Sequence, residues 1–351
     1  MPPLPKLRTE AAPAFRGGLV KILIVKLSSL GDVVHAMPAV QDIRRALPQA
    51  RIDWVVEKAF APLVQRCEGV QRVIPCELRR WRKAPFAATT RAAWKLFRAD
   101  LQREAYDAVI DLQGLSKSAL VAWLARLAPH GRRYALANRT EGSGYEAPTR
   151  WVADTAVRIE PHVHAVQRSR ELCARALGYA VPAQEVYGLH PATGVAIETI
   201  ASGGNGKKPC VALVHGTSRA DKQWPLTHWV ELAHRLDAAG FAVALLHGTD
   251  EEQRRSEAMA QQMPNAVVWP RLALDALTDA LAGCAGVIGV DSGLSHIAVA
   301  LDLPHVQLYN FDTAWRTGPV HRTRQRSVYA QPAPTVDAAW QAWRQVQGGP
   351  A

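Results

Sequence analysis

Short apolar runs alternate with helix-length segments twice along this chain, once on each side of the stretch Ser202-Gly203-Gly204-Asn205-Gly206. Parallel strands need a crossover of helical length, so this alternation constrains the fold to α/β units with sheets buried on both faces. In the first half, strands are expected at 20–27, 52–56, 72–75 and 108–111, with helices at 33–47, 58–66, 86–104 and 116–128. A further helix at 164–177 ends on Gly178, a residue suited to the left-handed C′ position. In the second half, strands are expected at 211–215, 242–246, 266–268, 287–290 and 305–309. The helices between them fall at 227–239, 251–262, 275–283 and 294–301. With 351 residues, about two domains are expected. We read a loose tail over 1–18, a first domain over 19–185, a linker over 186–209 and a second domain over 210–335. A final helix within 336–351 could cross back to the first domain. The fold class is α/β: two doubly wound, Rossmann-like domains facing a central cleft.

Two turns carry the chemistry. Gly286-Val287-Ile288-Gly289-Val290 reads as a buried parallel strand, followed by Asp291-Ser292-Gly293-Leu294-Ser295-His296 and a helix start. Free backbone N–H groups and the positive end of the helix dipole there make a seat for an anion. An ordinary βα turn with Asp or Ser as N-cap is the plainer alternative. The run 20–27 ends in a similar way, in Ser28-Ser29-Leu30-Gly31-Asp32 before a helical pattern. Gly31 allows close backbone approach, and Asp32 leaves a carboxylate at the start of the helix. Neither turn is G-x-G-x-x-G or G-x-x-x-x-G-K-[ST], and no nucleophile elbow is present, so nicotinamide, P-loop and α/β-hydrolase chemistry are unsupported.

Charge is unevenly placed. Residues 1–180 hold 29 Lys/Arg against 16 Asp/Glu, whereas 181–351 hold 13 against 15. The basic surplus therefore belongs to one domain and calls for an anionic partner of its own. Its densest part is Arg79-Arg80-Trp81-Arg82-Lys83, read as a loop and followed by Arg91, Lys95, Arg98 and Arg103. Trp81, Phe86, Trp94 and Phe97 are interleaved with these cations. That pattern suits an anionic membrane surface, a phosphorylated lipid headgroup or nucleic acid, or else a solvated helix face whose aromatics turn into the core. No apolar run approaches the roughly 18 residues needed to span a bilayer, and no signal-peptide core is evident. Five cysteines without C-x-x-C spacing suit a reduced, cytoplasmic protein. Six of the twelve histidines (162, 164, 190, 215, 247 and 296) could suggest a metal but match no zinc spacing, so structural roles are expected and no metal.

In the second domain, Thr217 and Ser218 supply hydroxyls and Lys222 a point charge in a loop after a strand, which suits a diphosphate. Asp250, at the end of the next strand, could accept hydrogen bonds from a ribose or cap the helix that follows. Leu272 could cover a base or belong to the core.

Lys26-Leu27-Ser28-Ser29-Leu30-Gly31-Asp32, Asp107 to Gly114, Arg79 to Lys83, Asp221-Lys222-Gln223-Trp224-Pro225 and Asp291 to His296 together resemble the inverting lipopolysaccharide heptosyltransferase family. The likeness runs from about residue 20 to 345 and implies the GT-B architecture of two Rossmann domains. It also implies transfer of L-glycero-D-manno-heptose from ADP-heptose to the inner Kdo, an eight-carbon keto-acid sugar, of di-Kdo lipid A. In that resemblance Asp32 is the general base. Lys222, Ser218 and the N–H groups of Ser292-Gly293 stabilise the ADP leaving group, Asp291 holds heptose hydroxyls or the phosphate edge, and Asp250 holds the ribose. Thr217, Leu272 and His296 complete the donor site. Ser28, Ser29, Gly31, Arg79, Arg80, Arg82, Lys83 and Arg139 form the acceptor site, where the cations meet Kdo carboxylates and lipid phosphates. No cofactor and no metal are expected, since acidic D-x-D motifs are absent. The partners implied are ADP-heptose, the Kdo-lipid A acceptor and the anionic inner-membrane surface, docked peripherally on its cytoplasmic side, with no nucleic acid. Asn310-Phe311-Asp312 departs from the family pattern and is assigned no role.

Overall fold

The computed structural model describes residues 19–192, 208–217, 219–320 and 323–348. The chain divides into two compact units between Gly188 and Leu189, at the early end of the stretch read as linker. The tail over 1–18 and most of that linker lie outside the described residues.

The first unit holds β1 (Lys21–Val25), α1 (Leu30–Val34), α2 (Met37–Ala46), β2 (Arg51–Glu57), α3 (Ala61–Val64), β3 (Val70–Cys76), α4 (Leu78–Lys83) and α5 (Ala88–Leu101). It continues with β4 (Tyr106–Asp111), α6 (Ser116–Leu124), β5 (Leu127–Leu136), α7 (Pro148–Val152), β6 (Thr155–Val157) and α8 (Ala165–Leu177). Its strands pair in parallel in the order β3-β2-β1-β4-β5-β6.

The second unit holds β7 (Cys210–Val214), α9 (Leu226–Ala238), β8 (Ala242–Leu245), α10 (Asp250–Ala260), β9 (Ala266–Val268), α11 (Leu274–Ala282) and β10 (Gly286–Val290). After these come α12 (Gly293–Ala300), β11 (His305–Tyr309), α13 (Ala314–Thr317), β12 (Gln325–Tyr329) and α14 (Val336–Gln347). Its order, β12-β11-β10-β7-β8-β9, repeats that of the first unit. Each sheet thus reverses direction of winding once, between β1 and β4 and between β7 and β10. Ligands of open α/β sheets bind at the carboxyl ends of the strands beside such a reversal.

Alternating side-chain direction assigns the two buried faces of the first sheet. Leu23, Val25 and Leu27 of the β1 segment join Val55, Ile74 and Val109 in one cluster, covered by Trp81, Phe97, Leu101, Val121 and Ala122 from α4, α5 and α6. In the second unit Val211, Leu213, Ile288 and Val290 meet Trp224, Trp229, Leu236, Trp343 and Val346. The expectation that the final helix crosses back is therefore replaced. Its apolar stripe, Val336, Ala339, Trp343 and Val346, is spent inside the second unit's own core.

Other departures have local causes. The helix expected over 33–47 is two helices, because Pro38 cannot donate to the carbonyl four residues back. The helix expected over 116–128 ends at Leu124, and β5 follows, starting Leu-Ala-Pro-His-Gly without an apolar run. Gly131 fits there because a Cβ would lie 2.3 Å from the Tyr106 carbonyl. β6 and β12 are short edge strands, and β12 is mostly exposed, so neither shows the apolar period that betrays central strands. The segment 79–83, read as a loop, is helical, and it anchors itself by burying Trp81 against Trp94 and Phe97.

Candidate active site

In the first unit the turn after β1 brings Ser28, Ser29, Gly31 and Asp32 to the sheet's carboxyl edge at the β1/β4 reversal. Asp32 folds back onto Ser29, the N-cap of α1: its Oδ2 accepts from the Ser29 amide at 3.1 Å and from the Ser29 hydroxyl at 2.8 Å. Asp32 Oδ1 faces two cations, Lys26 Nζ at 3.4 Å and Arg168 Nη2 at 3.6 Å. Both cations are nearly inaccessible, at 2% and 8% side-chain exposure, whereas the Asp32 carboxylate keeps 36%. Charge is thus buried behind the carboxylate while its outer edge stays open. Burial alone would raise the Asp32 pKa, but Lys26, Arg168 and the Ser29 hydrogen bonds outweigh it and hold the carboxyl well below its usual range. Asp32 is ionised at neutral pH.

Lys26, Arg168, Gln113 and Lys117 were not assigned from sequence. Lys26 sits at the end of the apolar β1 segment and donates to the Leu112 carbonyl at 3.1 Å; burial lowers its pKa. A cation closing a doubly buried apolar run is a signal that sequence does offer. Gln113 Oε1 accepts from the amides of Leu27 and Ser28 at 3.1 and 3.0 Å, fixing the turn from β4. Below it Asp111, fully buried, accepts from the Gln113 and Gly114 amides and the Ser118 hydroxyl, and burial pushes its carboxyl up to about 6. Arg168 comes from α8, where it also donates to Thr140 Oγ1 at 3.0 Å, and nothing local in the sequence separates it from an ordinary helical arginine.

Lys117 connects the turn to the basic helix. Its Nζ donates to Ser28 Oγ at 2.9 Å, and burial followed by repulsion from Arg79 and, less strongly, Arg82 lowers its pKa. Arg79, Arg82 and Lys83 are exposed on α4, while Arg80 turns to Glu77 at 3.0 Å. Arg139 is exposed on the loop after β5, its Nε donating to the Ser143 carbonyl at 3.3 Å, next to the Thr140 that Arg168 engages.

The second unit brings Thr217, Lys222, Asp291 and His296 together at the β7/β10 reversal. Lys222 Nζ lies 2.5 Å from Asp291 Oδ2, with Asp291 side-chain exposure only 7%. Asp291 Oδ1 faces His296 Nε2 and the Thr317 hydroxyl, both at 3.5 Å, and Thr217 Oγ1 donates to the Asp291 carbonyl at 3.4 Å. Burial raises the Asp291 pKa, yet His296 and Lys222 win and hold it well below the carboxylate range. Ser292 is the N-cap of α12, but its hydroxyl makes no capping bond and has no hydrogen-bond partner among the described residues. Gly293 opens the helix, so the first-turn amides stay free of side-chain caps. Asn310 holds the Lys222 loop, donating to the carbonyls of Asp221 and Gln223 at 3.0 and 2.9 Å. Ser218 lies outside the described residues.

Asp250 and Leu272 sit apart from that group. Thr249, rather than Asp250, is the N-cap of α10, in a capping box with Glu252. Asp250 is highly exposed and faces Arg271 at 3.4 Å, with Leu272 half-buried beside it, so these residues mark the β8 and β9 ends of the same edge. His215 bonds Ser256 at 2.9 Å, with burial and then Arg255 lowering its pKa to about 4, and His164 caps α8. All five cysteines are free and buried. Among the described residues no three His, Cys, Asp or Glu side chains gather as metal ligands, and no helix is long and apolar enough to cross a membrane.

Residues 93–339 match the family model of glycosyltransferase family 9 (heptosyltransferase). The chain is 39% identical over 292 residues to lipopolysaccharide heptosyltransferase 1 of Escherichia coli K12, covering 83% of this chain and 88% of the relative. It is 38% identical over 314 residues to the Pseudomonas aeruginosa PAO1 protein of the same name, covering 87% and 82%. Its fold is similar to that of E. coli heptosyltransferase WaaC with ADP, with a TM-score of 0.81 at 35% identity over 92% of this chain and 98% of the other. With two doubly wound parallel sheets, an acidic turn at the reversal of each and these likenesses over most of its length, the chain belongs to glycosyltransferase family 9, the heptosyltransferases, and has the GT-B fold.

Proposed function

We propose that this protein is an inverting glycosyltransferase that moves L-glycero-D-manno-heptose from ADP-heptose to the inner Kdo of di-Kdo lipid A, in lipopolysaccharide inner-core synthesis. The observation that carries this reading is Asp32: an ionised, half-exposed carboxylate with two buried cations behind it and a basic helix close by. As the acceptor hydroxyl attacks the anomeric carbon, its proton passes to Asp32, and the bond to ADP breaks on the opposite face. Inversion follows from that single displacement. Lys26 and Arg168 keep the base charged and aimed.

In the donor unit the α12 amides at Ser292-Gly293 and the Lys222 ammonium stabilise the charge that gathers on the departing diphosphate. Asp291 holds Lys222 in place and orients sugar hydroxyls, while Thr217 and His296 line the same edge. The Asp250–Leu272 region receives the ribose and base. The reading needs no metal or cofactor, because protein cations and helix amides take the leaving-group charge. On the acceptor side Arg79, Arg82 and Lys117, with Lys83, Arg80 and Arg139, meet Kdo carboxylates and lipid phosphates, and Ser28, Ser29 and Gly31 shape the pocket floor. The enzyme works as a peripheral protein on the cytoplasmic face of the inner membrane. The relatives named lipopolysaccharide heptosyltransferase 1, and the similar structure solved with ADP, support the donor and the reaction.

The test is product formation from ADP-heptose and di-Kdo lipid A by the wild type and Asp32→Asn. Turnover is expected to fall about a thousandfold with ADP affinity unchanged. Near-normal turnover of the variant would remove Asp32 as the base.

A further inference from the structure

We infer that the outer face of the α5–α6–α7 layer is the surface with which the first unit lies on an anionic lipid bilayer. The inference rests on the reading above, in which the acceptor is a lipid, and names where the bilayer meets the protein.

The three helices form one layer. Phe97 and Leu101 of α5, Val121 and Ala122 of α6 and, at its margin, Val152 of α7 pack on the same side of the first sheet. Their opposite faces carry large apolar side chains that a solvated surface gains nothing from exposing. Leu96 is 72% exposed, Trp123 61%, Trp151 73% and Leu120 42%; Phe86, just before α5, is 86% exposed. In the second unit only Leu226 and Tyr329 are large hydrophobics exposed in this way among the described residues. Two tryptophans and two leucines on one helical layer suit the headgroup zone, where an indole places its ring in the acyl boundary and its N–H in water.

The charge on this layer complements an anionic surface. Arg91, Lys95, Arg98 and Arg150 are exposed on α5 and α7, and none forms an ion pair among the described residues. On the opposite helical layer, α2 and α8, every cation but Arg45 is paired within the fold. Arg44 pairs with Glu68 at 2.9 Å, Arg170 with Asp42 at 2.7 Å and Arg175 with Glu171 at 3.6 Å. One layer has thus matched most of its positive charge internally, while the other presents it beside apolar side chains. Apolar insertion and attraction to acidic headgroups then act together, and neither requires a membrane-spanning helix.

The test sediments the full chain with phosphatidylethanolamine–phosphatidylglycerol vesicles and with phosphatidylcholine vesicles over a range of salt. Binding to the acidic vesicles alone is expected at low salt. Arg91→Gln with Lys95→Gln and Arg98→Gln should weaken it about a hundredfold. Leu96→Ser with Trp123→Ser and Trp151→Ser should weaken it at least about tenfold and remove the part that survives moderate salt. All six positions are on the surface, and thermal melts confirm that both variants fold. Wild-type sedimentation by either folded variant would overturn the inference. So would tighter binding of the wild type to single-stranded nucleic acid than to vesicles, lost in the same variants. Transfer to a water-soluble, deacylated Kdo acceptor should be retained by both variants. A wild type that docks as expected yet transfers nothing to any Kdo acceptor would defeat the proposed reaction and leave the docking surface standing.

Discussion

Asp32 and Asp291 both lie where a buried parallel strand gives way to a helix at the winding reversal of its sheet, Asp32 inside the first turn of α1 and Asp291 just before the N-cap of α12. Their surroundings make them opposites. Asp32 has its cations inside the protein and its free edge outside, so the carboxylate itself is presented to an incoming group. Asp291 is buried, and its partners Lys222, His296 and Thr317 crowd round it, so what faces outward is a lysine and the amides of a helix start. In the proposed reaction one turn therefore offers a base and the other a seat for an anion. The difference lies in where each carboxylate stands at its helix start and where its countercharge sits.

That contrast breaks most easily at Lys222. Lys222→Met should lower ADP affinity about a hundredfold by calorimetry, and should destabilise the second unit by about 3 kcal/mol, because it leaves Asp291 buried with one positive partner fewer. Unchanged affinity would take Lys222 out of the donor site.

On the other side of the comparison, replacing Arg79, Arg82 and Lys117 together by Gln should raise the acceptor KM about tenfold while ADP affinity stays as in the wild type. Loss of donor affinity as well, or of neither, would contradict an acceptor role confined to the first unit.

The smallest effect concerns Asp111, below the Asp32 turn. Its folded pKa is raised to about 6 by burial, above the ordinary value near 3.9. The protonated form therefore favours the fold, a contribution present below about pH 4 and lost as pH rises to about 6. Denaturant midpoints measured across that window should fall more steeply for the wild type than for Asp111→Asn; parallel curves would show that Asp111 does not titrate there. Asp32 has the reverse sign. Its depressed pKa supplies stability above about pH 4 that is lost only as pH falls towards its folded value, so its protonation does not limit activity near neutrality.

The central strands and both acidic turns were legible because a strand buried on both faces must be apolar throughout, and a break in that run announces the turn. Three strands escaped for the same reason: β5 and the edge strands β6 and β12 carry no such run. The basic cluster at 79–83 was visible as charge, but its helical form depended on Trp81 finding Trp94 and Phe97. Asp250 was readable as a residue at a strand end, yet which side chain caps α10 was decided by the reciprocal fit of Thr249 with Glu252.

By itself the sequence determined two βα-alternating halves, the positions of Asp32 and Asp291 at strand ends, and the concentration of positive charge in the first half. Only the tertiary structure decided which cations stand behind Asp32. Arg168 arrives from a helix 136 residues further along the chain, and Lys117 reaches Ser28 across 89. Periodicity reports how a segment meets the core, whereas the approach of charges distant in sequence is set by how parallel strands are ordered in the sheet.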